Sequence, residues 1–381
     1  MAITAKSAVY LLLILLCFCS LSMVKANPLG ICRFDKIFQL GDSISDTGNL
    51  IRERRFGPAT VYARLPYGQD FFHRTPTGRC SNGLLMIDFI ARAAGLPLLH
   101  AYKDPNGEFS HGVNFAVAGS TALPSDTLAA MRVLSPGTRS SLEVQLDWLS
   151  TYLNSTCTHH RDCVEKVQNA LFMVGEIGGN DYNFATFRAK KSMDELRRMV
   201  PRVVEAILNA VRRTIELGAK RVVVPGNFPV GCVPIYKTAF QTNNSPAYDN
   251  NRCLKHLNEF AEYHNRELQN GINKMIQEEK PNAIIVYADY YRAYEFLLHF
   301  AKHHGMDSER ACCGTGGKYN FNTARMCGAR GVPVCRKPHR YVSWDGIHMT
   351  QQGYRIMSGW LVRDLLPKLH CLESLPGLIP A

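Results

Sequence analysis

Lys36-Ile37-Phe38-Gln39-Leu40-Gly41-Asp42-Ser43-Ile44-Ser45-Asp46-Thr47-Gly48-Asn49 decides the fold. Its first five residues form a short β-branched and aromatic run, the pattern of a buried strand. The run leads directly into Gly41-Asp42-Ser43, after which polar and glycine residues turn the chain. A strand that delivers a hydroxyl just past its carboxyl end fits an open parallel sheet, where reactive side chains collect beyond the strand ends. A nucleophile needs this placement, because its hydroxyl must stand clear of the sheet edge. The competing reading makes Asp42 or Ser43 the cap of a following helix. The three-residue string alone does not separate the two.

Outward from this stretch, short apolar runs alternate with longer amphipathic segments. Residues 111–117 (HGVNFAV) include a short strand. ALFMV at 170–174, RVVV at 221–224 and AIIVY at 283–287 read as three more. Helical periodicity covers 83–94, 193–217, 248–279 and 351–366, with Pro201 expected to interrupt the second and Pro281 to stop the third. Five strand candidates alternating with helices predict an α/β fold, a parallel sheet with helices on both faces. The segments 56–67, 120–138 and 312–339 read as long irregular loops, which in a compact domain are often functional. With no internal repeat and no low-complexity linker, residues 27–381 are expected to form one domain carrying the cysteine-rich loop as an insertion.

The amino end predicts a destination. Lys6 precedes an apolar run from Val9 to Leu21, and Val24-Lys25-Ala26 offers a cleavage site, the layout of a secretory signal peptide cut after Ala26. The run is short for a membrane span, which needs about 20 apolar residues. No second long apolar stretch follows, so stable membrane insertion is not expected after cleavage. Leu378-Ile379-Pro380-Ala381 is not a retention signal of the KDEL type, which makes secretion the expected route and the vacuole the alternative. The formal net charge of +12 stays positive once Lys6 and Lys25 leave. Basic runs such as Arg52-Glu53-Arg54-Arg55 and Arg197-Arg198 are mixed or short, so a solvated basic surface is expected and a nucleic-acid partner is not. Of thirteen cysteines, Cys17 and Cys19 go with the leader, which leaves eleven. In an oxidising compartment most should pair, and the odd count leaves at least one over. Cys157 with Cys163 can close a small loop and Cys232 with Cys253 a larger one, while adjacent Cys312 and Cys313 should bond to different partners. No C-x-x-C pair or histidine spacing supports a zinc site. Asn154 and Asn243 sit in N-x-S/T acceptors, so both are candidate glycosylation sites.

Three further blocks carry chemistry. Trp344-Asp345-Gly346-Ile347-His348 places a carboxylate and an imidazole within one turn. A serine hydroxyl is unreactive until a base takes its proton; imidazole does this near neutral pH, and a carboxylate fixes its orientation. Asp70-Phe71-Phe72-His73 matches the same D-x-x-H spacing and is a rival. Val174-Gly175-Glu176-Ile177-Gly178-Gly179-Asn180-Asp181 follows a strand, and the Asn180 amide can serve an oxyanion. A phosphate loop is the competing reading, but no lysine followed by Ser or Thr completes one. In Asn114-Phe115-Ala116-Val117-Ala118-Gly119-Ser120, Gly119 offers a backbone N–H.

Taken in order, the four blocks closely resemble the GDSL (SGNH) hydrolase family, in its plant esterase/lipase branch, from about Phe34 to the last helix. The resemblance implies a flavodoxin-like three-layer α/β/α sandwich with a five-stranded parallel sheet. By motif it implies Ser43 as nucleophile, Asp345 and His348 as its partners, and an oxyanion hole of the Ser43 N–H, Gly119 and Asn180. Ile44 stands where the family name implies leucine, a conservative swap. Pro66-Tyr67-Gly68, residues 77–83 (TGRCSNG) and residues 225–232 (PGNFPVGC) also look like segments of plant members. The cysteine pattern and Tyr287-Ala288-Asp289-Tyr290-Tyr291 are similar to the subgroup containing acetylajmalan and sinapine esterases. The expected activity is hydrolysis of a small ester, such as an acyl ester of an alkaloid or phenolic, through an acyl-enzyme and with no metal or organic cofactor. The alternatives are an acyltransferase sharing that intermediate and a non-catalytic binding protein on the same scaffold. Nothing in the sequence sets the oligomeric state.

Overall fold

The computed structural model describes residues 27–53, 57–134 and 137–371. The expected signal peptide, residue 56 of the first long loop and the last ten residues lie outside them. The segment from Lys36 is the hub of the sheet: β1 (Lys36–Leu40) lies between β2 (Gly112–Asn114) and β3 (Ala170–Val174), followed by β4 (Arg221–Pro225) and β5 (Ile284–Ala288). All four pairings are parallel, and Phe38 stands level with Val113 on one side and Phe172 on the other.

Successive side chains of a strand point to opposite faces, so each strand feeds two cores. Phe38, Leu40, Phe172, Val174, Val222 and Val224 face one layer. There they meet α3 (Leu142–Thr156), α6 (Met193–Glu216) and α8 (Lys255–Glu278) through side chains such as Leu149, Val203 and Leu268. Ile37, Leu171, Met173, Val223 and Val286 face the other, against α1 (Met86–Ala93), α9 (Tyr290–His303) and α10 (Gln351–Lys368) through Ile90, Leu297 and Leu361. Each fully buried side chain of this kind contributes about 1.5–3 kcal/mol. This is the expected three-layer α/β/α sandwich, and β1 and β3 have the predicted limits.

Several boundaries differ from expectation. Helix α6 runs through Pro201 without a break. Pro201 and Arg197, whose carbonyl loses its partner, are both exposed to water, and burial of Val200, Val203, Val204 and Ile207 carries the helix past the missing bond. Helix α8 starts at Lys255, seven residues later than periodicity suggested. The Cys232–Cys253 disulfide and the Asp249 carboxylate, which accepts from the N–H groups of Asn251 and Cys253, hold the preceding segment as a turn. Helix α1 begins at Met86 instead of Gly83, because the Leu84 N–H is taken by Gln351 Oε1 and Asp88 caps the Leu85 N–H. The loop 120–138 contains α2 (Ser125–Ala130). Beside the main sheet lies a two-stranded parallel sheet, β6 (Asp307–Ala311) with β7 (Tyr341–Ser343).

The cysteine arithmetic holds. Cys157–Cys163 and Cys232–Cys253 pair, and Cys312 and Cys313 bond separately to Cys335 and Cys327. Cys32–Cys371 ties the start of the described chain to its end, and the buried Cys80 is free. Among the described residues no helix is long and apolar enough to cross a membrane.

Candidate active site

Ser43 stands three residues past β1, half-buried at the carboxyl end of the sheet. The turn that puts it there requires glycine at 41. Its φ is +154°, and a Cβ would come within 2.5 Å of the Gly175 carbonyl oxygen. Gln145 of α3 clamps the same residue, accepting the Gly41 N–H at 2.8 Å and donating to its carbonyl at 2.8 Å. Below Ser43 the buried Asp46 carboxylate gathers the N–H groups of Gly48, Asn49, Leu50 and Ala118. The Asn49 amide donates to the carbonyls of Asn114 and Ala116. These bonds lock the segment after β1 to the segment after β2, which ends at Gly119.

Asp345 and His348 come from the loop between β7 and α10, and both are buried. His348 Nε2 lies 2.8 Å from Ser43 Oγ, and His348 Nδ1 lies 2.7 Å from Asp345 Oδ2. Asp345 Oδ1 accepts the N–H groups of Ile347 and His348, which sets the turn. Burial pushes the Asp345 carboxyl up, but the His348 ring and these N–H groups outweigh it and hold it below its ordinary value. Tyr67 donates to Asp345 Oδ2 at 2.8 Å, and the Tyr62 ring meets His348 edge-on at 5.9 Å between centroids. The rival pair is elsewhere: Asp70 and His73 are exposed, and Asp70 is bonded to Asn82.

Asn180 is the second residue of α5 (Gly179–Phe187), just beyond β3. Its Nδ2 donates to the Ser120 carbonyl at 2.9 Å and faces Asp42 Oδ2 at 3.3 Å. Burial raises the Asp42 carboxyl to about 8, the Ile44 N–H opposes this, and the neighbouring Glu176 adds to it. Among the described residues, neither the Ser43 N–H nor the Gly119 N–H meets an acceptor. Ser43, Gly119 and Asn180 thus cluster at the carboxyl ends of three adjacent strands, all partly open to solvent. Chemically, the arrangement offers a hydroxyl in contact with a base, a buried carboxylate fixing that base, and polar N–H donors around it. No group of three or more metal-ligating side chains is placed to hold a metal ion among the described residues. Asn154, on the last turn of α3, and Asn243 are both exposed.

The sequence reading gave no role to Gln145, Asp46 or Tyr67. Tyr67 lies in the quoted Pro66-Tyr67-Gly68 segment, but its partner is 278 residues away in the chain.

The chain is similar to known proteins over nearly its whole length. It is 46% identical over 347 residues to acetylajmalan esterase 2 of Rauvolfia serpentina, which covers 91% of this chain and 94% of that one. It is 46% identical over 347 residues to a second acetylajmalan esterase of the same organism, with 90% and 89% covered. A GDSL esterase/lipase of Arabidopsis thaliana is 43% identical over 343 residues, covering 90% and 93%. The model of the GDSL-like lipase/acylhydrolase family matches residues 37–361, and the chain belongs to that family of ester-bond hydrolases.

Proposed function

We propose that the protein is a secreted serine carboxylesterase, a single domain over residues 27–381 after removal of the leader, with Ser43 as nucleophile, His348 as general base and acid, and Asp345 as the group that orients it. The observation that carries this reading is the unbroken chain from Ser43 Oγ through His348 to Asp345. His348 takes the Ser43 proton as the oxygen attacks the ester carbonyl, and Asp345 stabilises the imidazolium that forms. The tetrahedral oxyanion is met by the N–H groups of Ser43 and Gly119 and by Asn180 Nδ2. Losing one such donor costs about 3 kcal/mol of transition-state stabilisation. His348 then protonates the departing alcohol, and water activated by the same ring releases the acid. Two relatives named acetylajmalan esterases support an acetyl ester of an alkaloid-like alcohol as the substrate class. Five disulfides fit an oxidising compartment, and the exposed Asn154 and Asn243 are suited to carry N-glycans there.

The test compares wild type with Ser43→Ala on a chromogenic acetate ester. The mutant should lose about 10⁶-fold in kcat, as nucleophile removal does in serine hydrolases. Equal activity in the two proteins removes Ser43 from its role. If neither turns over, a fluorophosphonate label distinguishes a narrow enzyme, which is labelled at Ser43, from a binding protein, which is not.

A further inference from the structure

Asn180 can stabilise an oxyanion only with its amide turned the right way. The nitrogen end attracts the developing charge and the oxygen end repels it. A side-chain amide can turn end for end even on a helix, so both of its ends must be held: the Ser120 carbonyl holds the nitrogen end. One turn further along α5, Asn183 Nδ2 donates to Asn180 Oδ1 at 3.4 Å. Residues three apart on a helix share a face, so the contact is built into the G-G-N-D-Y-N segment. The other end of the Asn183 amide is also committed, because its Oδ1 accepts the hydroxyl of Tyr236. Tyr236 is itself buried, and burial holds its hydroxyl in the protonated, donating form.

The donors therefore run one way: Tyr236 hydroxyl to Asn183 oxygen, Asn183 nitrogen to Asn180 oxygen, Asn180 nitrogen toward Ser120 and Asp42 beside the nucleophile. A chain of hydrogen bonds aligned in one direction polarises each member further. The element carrying Tyr236, α7 (Pro234–Ala239), is anchored at three points. The Cys232–Cys253 disulfide lies just before it, the Gly231 N–H is held by Asn258, and the Ile235 N–H donates to the Gly346 carbonyl of the loop that carries His348.

We propose that Asn183 and Tyr236 are positioning residues for the reaction, orienting the Asn180 amide so that its N–H faces the oxyanion. This rests on the reading of Asn180 as an oxyanion donor. In this reading both act through the Asn180 amide and not on the substrate itself. Their loss should therefore act on the transition state with little effect on substrate binding.

The experiment is a double-mutant cycle on the full chain with a chromogenic acetate ester. Asn180→Ala alone should lower kcat about 10²–10³-fold. Asn183→Ala and Tyr236→Phe should each lower kcat several-fold to about tenfold with KM changed less than twofold, Tyr236→Phe being the milder and the safer to fold. In the Asn180→Ala background both should have no further effect, since there is no amide left to orient. If Asn183→Ala and Tyr236→Phe match wild type while Asn180→Ala is impaired, the positioning role is overturned and the oxyanion reading stands. If each lowers kcat by the same factor with and without Asn180, the residues support only the fold and the proposal also fails. If Asn180→Ala is fully active, the oxyanion reading falls and the positioning role with it.

Discussion

The Ser43 side of the site and the His348 side are held by different forces. Ser43, Gly119 and Asn180 follow three neighbouring strands of the main sheet, and their segments are stitched by buried side chains that accept or donate several backbone hydrogen bonds each. Asp345 and His348 sit outside that sheet, after the short strand β7, on a small core made of Tyr67, Trp344 and the disulfide cysteines Cys312, Cys313 and Cys327. There the Cys313 N–H donates to the Trp344 carbonyl, and Gly346 (φ +92°) passes so close to the Phe321 ring that a side chain would collide with it. One half is specified by polar groups that would be costly to leave unpaired. The other has little apolar core of its own and relies on covalent closure. The two should therefore fail differently, the first with the whole molecule and the second by itself.

The largest effect is expected at Asp46. Its carboxylate satisfies four N–H groups from two segments, and it is fully buried. An unsatisfied buried donor costs about 1–3 kcal/mol. Allowing for partial relaxation, Asp46→Ala should lose about 4 kcal/mol or more of stability. Thermal unfolding followed by circular dichroism and by residual activity should shift down together. A variant that keeps its melting temperature but loses activity would show that these bonds serve the site alone and not the whole molecule.

The cross-linked half makes the opposite prediction. Cys313 and Cys327 close a loop with a sequence separation of 14 residues. A loop of that size is worth about 3 kcal/mol when its cross-link is removed. In Cys313→Ala/Cys327→Ala the activity midpoint in urea should fall well below the midpoint seen by circular dichroism, because the loop behind Asp345 opens before the sheet does. Coincident midpoints would mean that the two halves form one cooperative unit.

This contrast also governs what the sequence discloses. Strands β1 and β3 are legible because each is an apolar run ended by glycine, and buried strands have no other way to look. The four blocks around Ser43, Gly119, Asn180 and His348 are legible because each is contiguous. Helix α9 buries Tyr290, Ala293, Tyr294, Leu297, Leu298 and Ala301 at helical spacing, so its sequence too carries a helical signal. Strand β6 gives no such signal: Asp-Ser-Glu-Arg-Ala is mostly polar, and only its pairing with β7 makes it a strand. Pro201 and the late start of α8 show local rules overridden by packing and by a disulfide. Gln145 on Gly41 and Tyr67 on Asp345 join distant parts of the chain through one or two hydrogen bonds, for which no local pattern exists.

The smallest expected effect concerns pH and belongs again to the hydrogen-bonded half. Burial raises three carboxyls there, Asp42 to about 8 and Glu176 and Asp181 to about 7. In the unfolded chain these groups ionise near 4. Between pH 6.5 and 8 the folded protein therefore binds more protons than the unfolded one, and stability falls as pH rises. The contribution is fully present below the unfolded values and is lost as pH passes through the folded ones. His264, held down to about 4 by burial, acts in the opposite sense, with stability lost as pH falls from 6.5 toward 4. At the lower edge of the upper window the unfolded imidazole is still partly protonated and offsets the carboxyl effect by about 0.4 kcal/mol; toward pH 8 it is neutral in both states and the carboxyls dominate. Across that window, Asp42 alone should account for about 1.5 kcal/mol. The melting temperature should drop from pH 6.5 to 8 in wild type, and Asp42→Asn, which cannot ionise, should flatten part of that drop. A slope insensitive to Asp42→Asn would place the pH dependence outside the turn that carries Ser43 and leave the two halves without an electrostatic difference.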